Sequence, residues 1–422
     1  MSLPIVENRG AAAAINLAPN ALQADSRRWI VTFAGTGINL ALGVLYTWSM
    51  FKDAISKEFG WKGEQLNDPY ALCCLVFAFA MILAGRCQDK LGPRLTATIG
   101  GILVGAGLLL VSRTNSYVAW VLGFGVLVGT GIGFGYSSAT PAALKWFPPA
   151  RTGLVAGLVV AGFGLAPVYL SPISKSLLAA RGLQGAMFIY SIAFTVAVCA
   201  LAQLLTSPPA TSTATSAKAA AAGTPPGAML RAPAFYLLWL IYFIGAGAGL
   251  MVIGSISGMA KKSLGEAAFV AVAVMAIGNA AGRIGAGLLS DRIGRRWALM
   301  LVLAFQALLM FAAIPVVGTQ GNAAWLIVLV ATLIGFNYGA NLSLFPSYTK
   351  DLWGLKNFGM NYGILFTAWG LGGFVLSRLQ QTLTSHSGGS FTSSFAVAGG
   401  LLLAGAALTL TLPRSQPAPA GK

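Results

Sequence analysis

Apolar runs of membrane length recur twelve times between residues 29 and 412, and nothing else in the chain restricts its fold as severely. They lie at about 29–51, 70–87, 95–112, 117–141, 152–174, 185–206, 233–258, 267–290, 297–318, 323–346, 358–380 and 391–412. A bilayer core is crossed by roughly 20 apolar helical residues. Hydrocarbon offers no hydrogen bonds, so only helices or a closed barrel can cross it, and continuous rather than alternating runs select helices. Charged residues make up only 9% of the chain, where a soluble domain carries about 25%. The expected fold is an all-α membrane protein of twelve transmembrane helices.

The runs fall into two sets of six, spanning 29–206 and 233–412, joined by an Ala/Ser/Thr/Pro-rich linker at 207–232. Residues 1–28 and 413–422 read as disordered cytoplasmic tails, and the first of them lacks the order of a cleaved signal peptide. The net charge of +17 would suggest nucleic acid in a soluble protein. Here, of 27 Lys and Arg, 17 fall on the side of the termini, nine opposite, and Arg283 between. That is the positive-inside bias, so the partner is the lipid bilayer, not nucleic acid, with both termini cytoplasmic and a bacterial inner membrane as the expected location. Cys73, Cys74, Cys87 and Cys199 have no metal-ligand spacing and read as packing residues.

The two sets repeat. Gly85 to Arg94 (GRCQDKLGPR) ends the second run, and Gly287 to Arg296 (GLLSDRIGRR) ends the eighth. Gly85 and Gly287 would allow close helix approach, while Gly92 and Gly294 permit tight turns. Asp89 and Asp291 can pair with Arg94 and Arg295, or face a helix N-terminus across the interface between the sets. Either contact would hold a gate shut; the alternative is loop charge that only fixes topology. A second echo links ALKWFPPARTG with SYTKDLWGLKNFG. Two parallel six-helix bundles related by pseudo-symmetry follow.

Arg283 sits inside the eighth apolar run, with no carboxylate inside any other run to neutralise it. Its insertion costs about 2.5–3.5 kcal/mol. The simplest counter-charge is an anion that comes and goes. A purely structural arginine, paired with carbonyls or hydroxyls, is the competing account. Asn279, four residues earlier on the same face, can bond both the guanidinium and a bound carboxylate.

The pair of turns resembles the loop signature of the major facilitator superfamily. More narrowly, NLALGVLYTWSMF, LKWFPPARTGLVAG and GANLSLFPSYTKDLWGLKNFGMNYGILFTAWGLGG resemble the oxalate/formate antiporter-like family, which is related to monocarboxylate transporters. The resemblance implies the major facilitator fold, transport of small organic acids, and a central site on spans 1, 4, 7, 8, 10 and 11 with Arg283 as the cargo's counter-ion. Tyr46, Tyr136 and Tyr338 match aromatic positions around the cargo in that family. Asn341, Phe366 and Trp369 join them as candidates, with Asn337, Asn361 and Tyr362 nearby. A tyrosine hydroxyl donates to a carboxylate while its ring covers the apolar end of a short acid.

Two departures refine this. Animal monocarboxylate transporters resemble an Asp, used in proton coupling, where this chain has Asn279. Relatives that handle the dianion oxalate carry a helix 11 lysine where this chain has Trp369. One arginine pairs with one carboxylate, and a second carboxylate would be buried unpaired. A monocarboxylate such as lactate, pyruvate or formate is therefore favoured, with a proton or a counter-anion as the coupled partner. Export of larger amphipathic compounds and carboxylate sensing without transport remain the rival readings. GTGIGFG (Gly129 to Gly135) has a nucleotide-loop spacing but lies in an apolar run, where close helix packing explains it better. No cofactor, metal or enzyme chemistry is indicated.

Overall fold

The computed structural model describes residues 9–208, 223–264, 268–318, 324–388 and 390–413. They form twelve helical spans and, among the described residues, one isolated bridge between Gly223 and Gly354 in place of any strand. We number the spans in chain order. In the first half, α1 is Arg9–Leu42, continued through a 3-10 turn (Gly43–Thr47) into Trp48–Phe59; α2 is Asp68–Leu91 and α3 Pro93–Val111. Next, α4 is Tyr117–Leu144, with a π-helical stretch at Val121–Val128, and α5 (152–181) and α6 (183–202) share one helix, Thr152–Ala202. In the second half, α7 is Pro233–Leu264, α8 Ala268–Ile293, α9 Arg295–Gly318, α10 Ala324–Trp353, α11 Phe358–His386 and α12 Thr392–Thr409.

Each expected run lies on one of these helices, with three differences at the edges. Helix α1 starts at Arg9, inside the expected tail, where the alanines of AAAAINLAPNALQAD favour helix. Residues 1–8 and 414–422 lie outside the described residues. The expected loop between runs five and six is helical, and the chain turns at Gly182 alone (φ 65°). In the linker, 209–222 lie outside the described residues. Its end forms a helical turn, Pro226–Met229, and Thr224 bonds the carbonyl of Trp353 at the end of α10.

The outer surface is apolar: Leu83, Phe33 and Val118 are more than half exposed, as a surface facing lipid requires. Polar side chains such as Asn39, Gln306, Asn341 and Arg283 are buried inside the bundles. Glycines of the GTGIGFG stretch let helices touch: a Cβ on Gly131 would stand 2.7 Å from the Gly100 carbonyl of α3. Repeated turns mark the pseudo-symmetry. Gly92 (φ 88°) alone separates α2 from α3, and Gly294 (φ 87°) alone separates α8 from α9. The halves meet along two long seams, α5 on α8 and α2 on α11.

Candidate functional site

Arg283 lies in the second half of α8 and is 0% exposed. One turn earlier, Asn279 Oδ1 accepts a 2.8 Å bond from its Nε. Its Nη1 donates to the Val160 carbonyl of α5 across the seam. Nη2 is buried without a hydrogen-bond partner. The nearby carboxylates Asp291 and Asp351 pair with Arg295 and Lys350 instead of Arg283. Gly164 makes room for this arrangement, since a Cβ there would stand 2.8 Å from Asn279 Oδ1 and 3.3 Å from Arg283 Nε.

Tyr46 comes from the 3-10 turn that interrupts α1, a break at which Gly43 is pressed against the Phe163 carbonyl of α5. Its hydroxyl lies 3.0 Å from that of Tyr338 on α10, and Trp369 Nε1 on α11 donates to Tyr338 at 2.9 Å. An indole only donates. Whichever tyrosine donates to the other, one O–H of the pair stays uncommitted. The hydroxyl of Tyr46 also stands against the guanidinium, near enough for a loose hydrogen bond, while Nη2 has no well-aligned one. The site thus gathers donors and is short of acceptors, as a site for an anion must be.

Aromatic rings close the space around these donors. Phe77 of α2 is the hub, with ring centroids 5.5 Å from Tyr136, 5.1 Å from Phe366, 5.4 Å from Trp369 and 6.1 Å from Phe163. Tyr46 meets Phe163 edge-on at 5.0 Å, and Phe366 stacks on Trp369 at 5.1 Å. The structure brings Arg283, Asn279, Tyr46, Tyr136, Tyr338, Phe366 and Trp369 to one place. Asn341 is directed elsewhere: its Nδ2 bonds Gln306 Oε1 and the Asn337 carbonyl, both at 3.1 Å, inside the second half. Asn337 bonds its own helix at Leu333, and Asn361 bonds the linker carbonyl of Thr224. Spans 2 and 5 also reach the centre, which the sequence reading did not expect. Phe77, Val160, Phe163 and Gly164 carry no polar side chain, and only the small–aromatic–small run Gly162–Phe163–Gly164 sets them apart from ordinary span residues.

The repeated turns meet at the face that carries both termini. Asp89 accepts from the Gly359 and Met360 N–H groups at the start of α11, at 3.0 and 2.9 Å. Asp291 accepts from Gly153 and Leu154 at the start of α5, both at 2.9 Å. Each carboxylate therefore caps a helix N-terminus across the seam. A Cβ on Gly85 would stand 2.1 Å from the Gly359 carbonyl, and one on Gly287 would stand 2.2 Å from that of Gly153. Arg295 bonds Asp291 at 2.8 Å, Asp351 at 2.9 Å and Thr152 at 3.0 Å. Arg94 does not pair with Asp89. It donates to the Leu205 carbonyl just past α6, as Arg296 does to Leu410 just past α12. In the repeat, Arg94 corresponds to Arg296, and Arg295 stands where the first half has Pro93. Beside Asp89, burial pushes the Lys145 ammonium below the usual lysine range, opposed by the carboxylate's charge.

The profile of the Major Facilitator Superfamily matches residues 30–377 and, in a second register, 259–422. Among curated proteins, the chain is 30% identical over 354 residues to the MFS-type transporter YhjX of Escherichia coli K12, covering 82% of this chain and 85% of that protein. It is 28% identical over 330 residues to the oxalate:formate antiporter of Oxalobacter formigenes, covering 77% of each. It is 26% identical to monocarboxylate transporter 13 of Rattus norvegicus, covering 89% of this chain and 86% of that one. Among solved structures, the proton:xylose symporter XylE superposes with a TM-score of 0.73 at 13% identity, covering 93% of this chain and 97% of that one. FucP in its outward conformation gives 0.67 at 15% identity, covering 91% and 99%. At such identities these two show the fold alone. With twelve spans, registered turns and a profile match over most of its length, the chain belongs to the major facilitator superfamily.

Proposed function

We propose that this protein carries short monocarboxylates, of the lactate, pyruvate or formate type, across the membrane by alternating access with proton symport. The observation that carries the reading is Arg283: fully buried, held in place through Nε and Nη1, and left with an unpartnered Nη2. A buried polar group without a partner costs about 1–3 kcal/mol, more when charged. A carboxylate on Nη2 and on the spare O–H of the Tyr46–Tyr338 pair would supply the missing acceptor. The hydrogen bonds to Asn279 and Val160 are also what a structural arginine would make, so the unpartnered nitrogen is what separates the two accounts.

Occupancy neutralises the arginine and lowers the cost of closing the bundles over it, which couples binding to rocking. Gly85, Asp89, Gly287, Asp291 and Arg295 form the clasp at the terminal face, which the positive-inside bias places in the cytoplasm of a bacterial inner membrane. With Asn279 in place of a carboxylate, the proton travels on the cargo–arginine complex rather than on a dedicated side chain. Similarity to the oxalate:formate antiporter favours exchange as the second reading. Trp369 speaks against a dianion, because its indole offers one hydrogen bond, already given to Tyr338, and no charge.

Uptake of radiolabelled L-lactate, formate and oxalate into proteoliposomes tests this, with and without an inward proton gradient and with each acid preloaded. Gradient-driven lactate uptake supports symport, while uptake seen only after preloading means exchange. Trp369→Lys should raise the oxalate-to-lactate uptake ratio at least tenfold, and an unchanged ratio in a folded variant would sink the single-cation argument.

A further inference from the structure

Three more phenols surround Phe366 on the terminal side of this site: Tyr136 of α4, Tyr242 of α7 and Tyr362 of α11. Their ring centroids lie 5.6, 6.1 and 5.7 Å from that of Phe366. They are 2%, 0% and 3% exposed, and none of their hydroxyls makes a well-aligned hydrogen bond. The Tyr136 and Tyr242 hydroxyls each approach that of Tyr362 closely enough for a loose hydrogen bond, and both rings lie within electrostatic reach of Arg283. A buried hydroxyl is nearly always partnered. Three that have only loose contacts with one another, from three helices and both halves of the molecule, leave polar capacity that packing alone does not use.

The placement along α11 separates two levels. Trp369, bonded to Tyr338, is two turns from Tyr362, about 10 Å along the axis. Phe366 lies between them. Tyr362 in turn is two and three residues past Met360 and Gly359, whose N–H groups hold Asp89. The upper level, with Arg283, has the charge. At the lower level each phenol offers one donor and two lone pairs and no charge.

We propose that Tyr136, Tyr242 and Tyr362 form a second, neutral polar subsite that takes a hydroxyl or carbonyl oxygen on the carbon chain of the acid whose carboxylate Arg283 holds. A hydroxyl there accepts from two phenols and donates to the third; a carbonyl accepts from two. An unsubstituted alkyl chain leaves the three phenols only their loose contacts with one another. A site built to bond an oxygen discriminates strongly against the analogue that lacks it, because its own buried groups are then stranded. The cargo class narrows to short hydroxy- and oxo-monocarboxylates. This rests on the role of Arg283 proposed above.

Equilibrium binding to the full-length protein tests it with the matched pairs L-lactate/propionate, 3-hydroxybutyrate/butyrate and 4-hydroxybutyrate/butyrate. The wild type should bind the oxygenated member at least tenfold tighter in one pair or more. In Tyr362→Phe, and separately in Tyr242→Phe, that preference should fall to within twofold, the loss falling on the oxygenated acid. Melting curves verify that each variant is folded. A structural role for these phenols would weaken both members of a pair alike and leave the ratio standing, which would overturn the proposal. Wild-type ratios within twofold for every pair would overturn it as well, while Arg283-dependent binding of the acids would leave the first reading intact. Acids that bind without regard to Arg283 would overturn that first reading and this one with it.

Discussion

On the α2–α11 seam Asp89 accepts two main-chain N–H groups and has no ion-pair partner within 4 Å among the pairs formed by the described residues, whereas on the α5–α8 seam Asp291 accepts the same two bonds and also binds Arg295. The backbones match closely, since Gly85 and Gly287 stand equally near the opposing carbonyls. Of the positions at which the two turns differ, the one that changes the ion pairing is proline at 93 against arginine at 295. From there the second half builds a network of Asp291, Asp351 and Thr152 around Arg295, which is only 3% exposed. Geometry is the shared inheritance of the repeat, and charge is where the halves have parted. The charged seam is also the one that holds Arg283, two turns up the same helix from Asp291.

The largest effect is expected from Arg295→Ala, which strips Asp291 of its cation and leaves Asp351 only Lys350. Breaking a buried ion pair by removing one partner costs about 3–5 kcal/mol. The closed clasp should lose ground by roughly 100-fold or more, read as the alkylation rate of a cysteine placed at Leu154. A rate within threefold of the unmodified background would mean the network adds nothing to the shared backbone contacts.

A middling effect should separate Asp291→Asn from Asp89→Asn. Both weaken two bonds to main-chain N–H groups, but only the first strands Arg295. The gap should be about 1–2 kcal/mol in favour of Asp291, on the scale of a charged hydrogen bond. Equal effects would dissolve the comparison. The smallest effect belongs to Arg94→Ala and Arg296→Ala, which each lose a bond to a carbonyl just past a helix C-terminus. Each should cost under about 1 kcal/mol, with labelling rates matching one another within a few-fold. A larger loss at either would place that arginine in the clasp after all.

These contrasts also show what the sequence could reveal. Span positions, the repeat and Arg283 were legible because each breaks or sets a pattern that hydrocarbon punishes: charge inside an apolar run, or a turn where none can float free. Asn279 followed from helical spacing alone. Asn341 did not, since polarity says that a buried amide needs partners but not that Gln306, on another helix, is the one. Phe77, Phe163 and Gly164 were invisible for the opposite reason, because an apolar residue in a span looks the same facing lipid or the centre of the molecule. Between the two contacts open to Asp89, an arginine or a helix N-terminus, the sequence could not choose, because Arg94 is drawn to the Leu205 carbonyl, just past a helix far along the chain.

The most direct test of the central claim is equilibrium binding of L-lactate to the purified protein, comparing wild type with Arg283→Lys. Lysine keeps the charge and loses the planar fork that reaches Asn279 and Val160 and, on the proposed reading, a carboxylate as well. The account predicts at least a 100-fold loss of affinity in a variant that still melts cooperatively. Affinity unchanged within threefold would contradict it, and would make Arg283 a strut between α5 and α8 rather than the residue that holds the cargo.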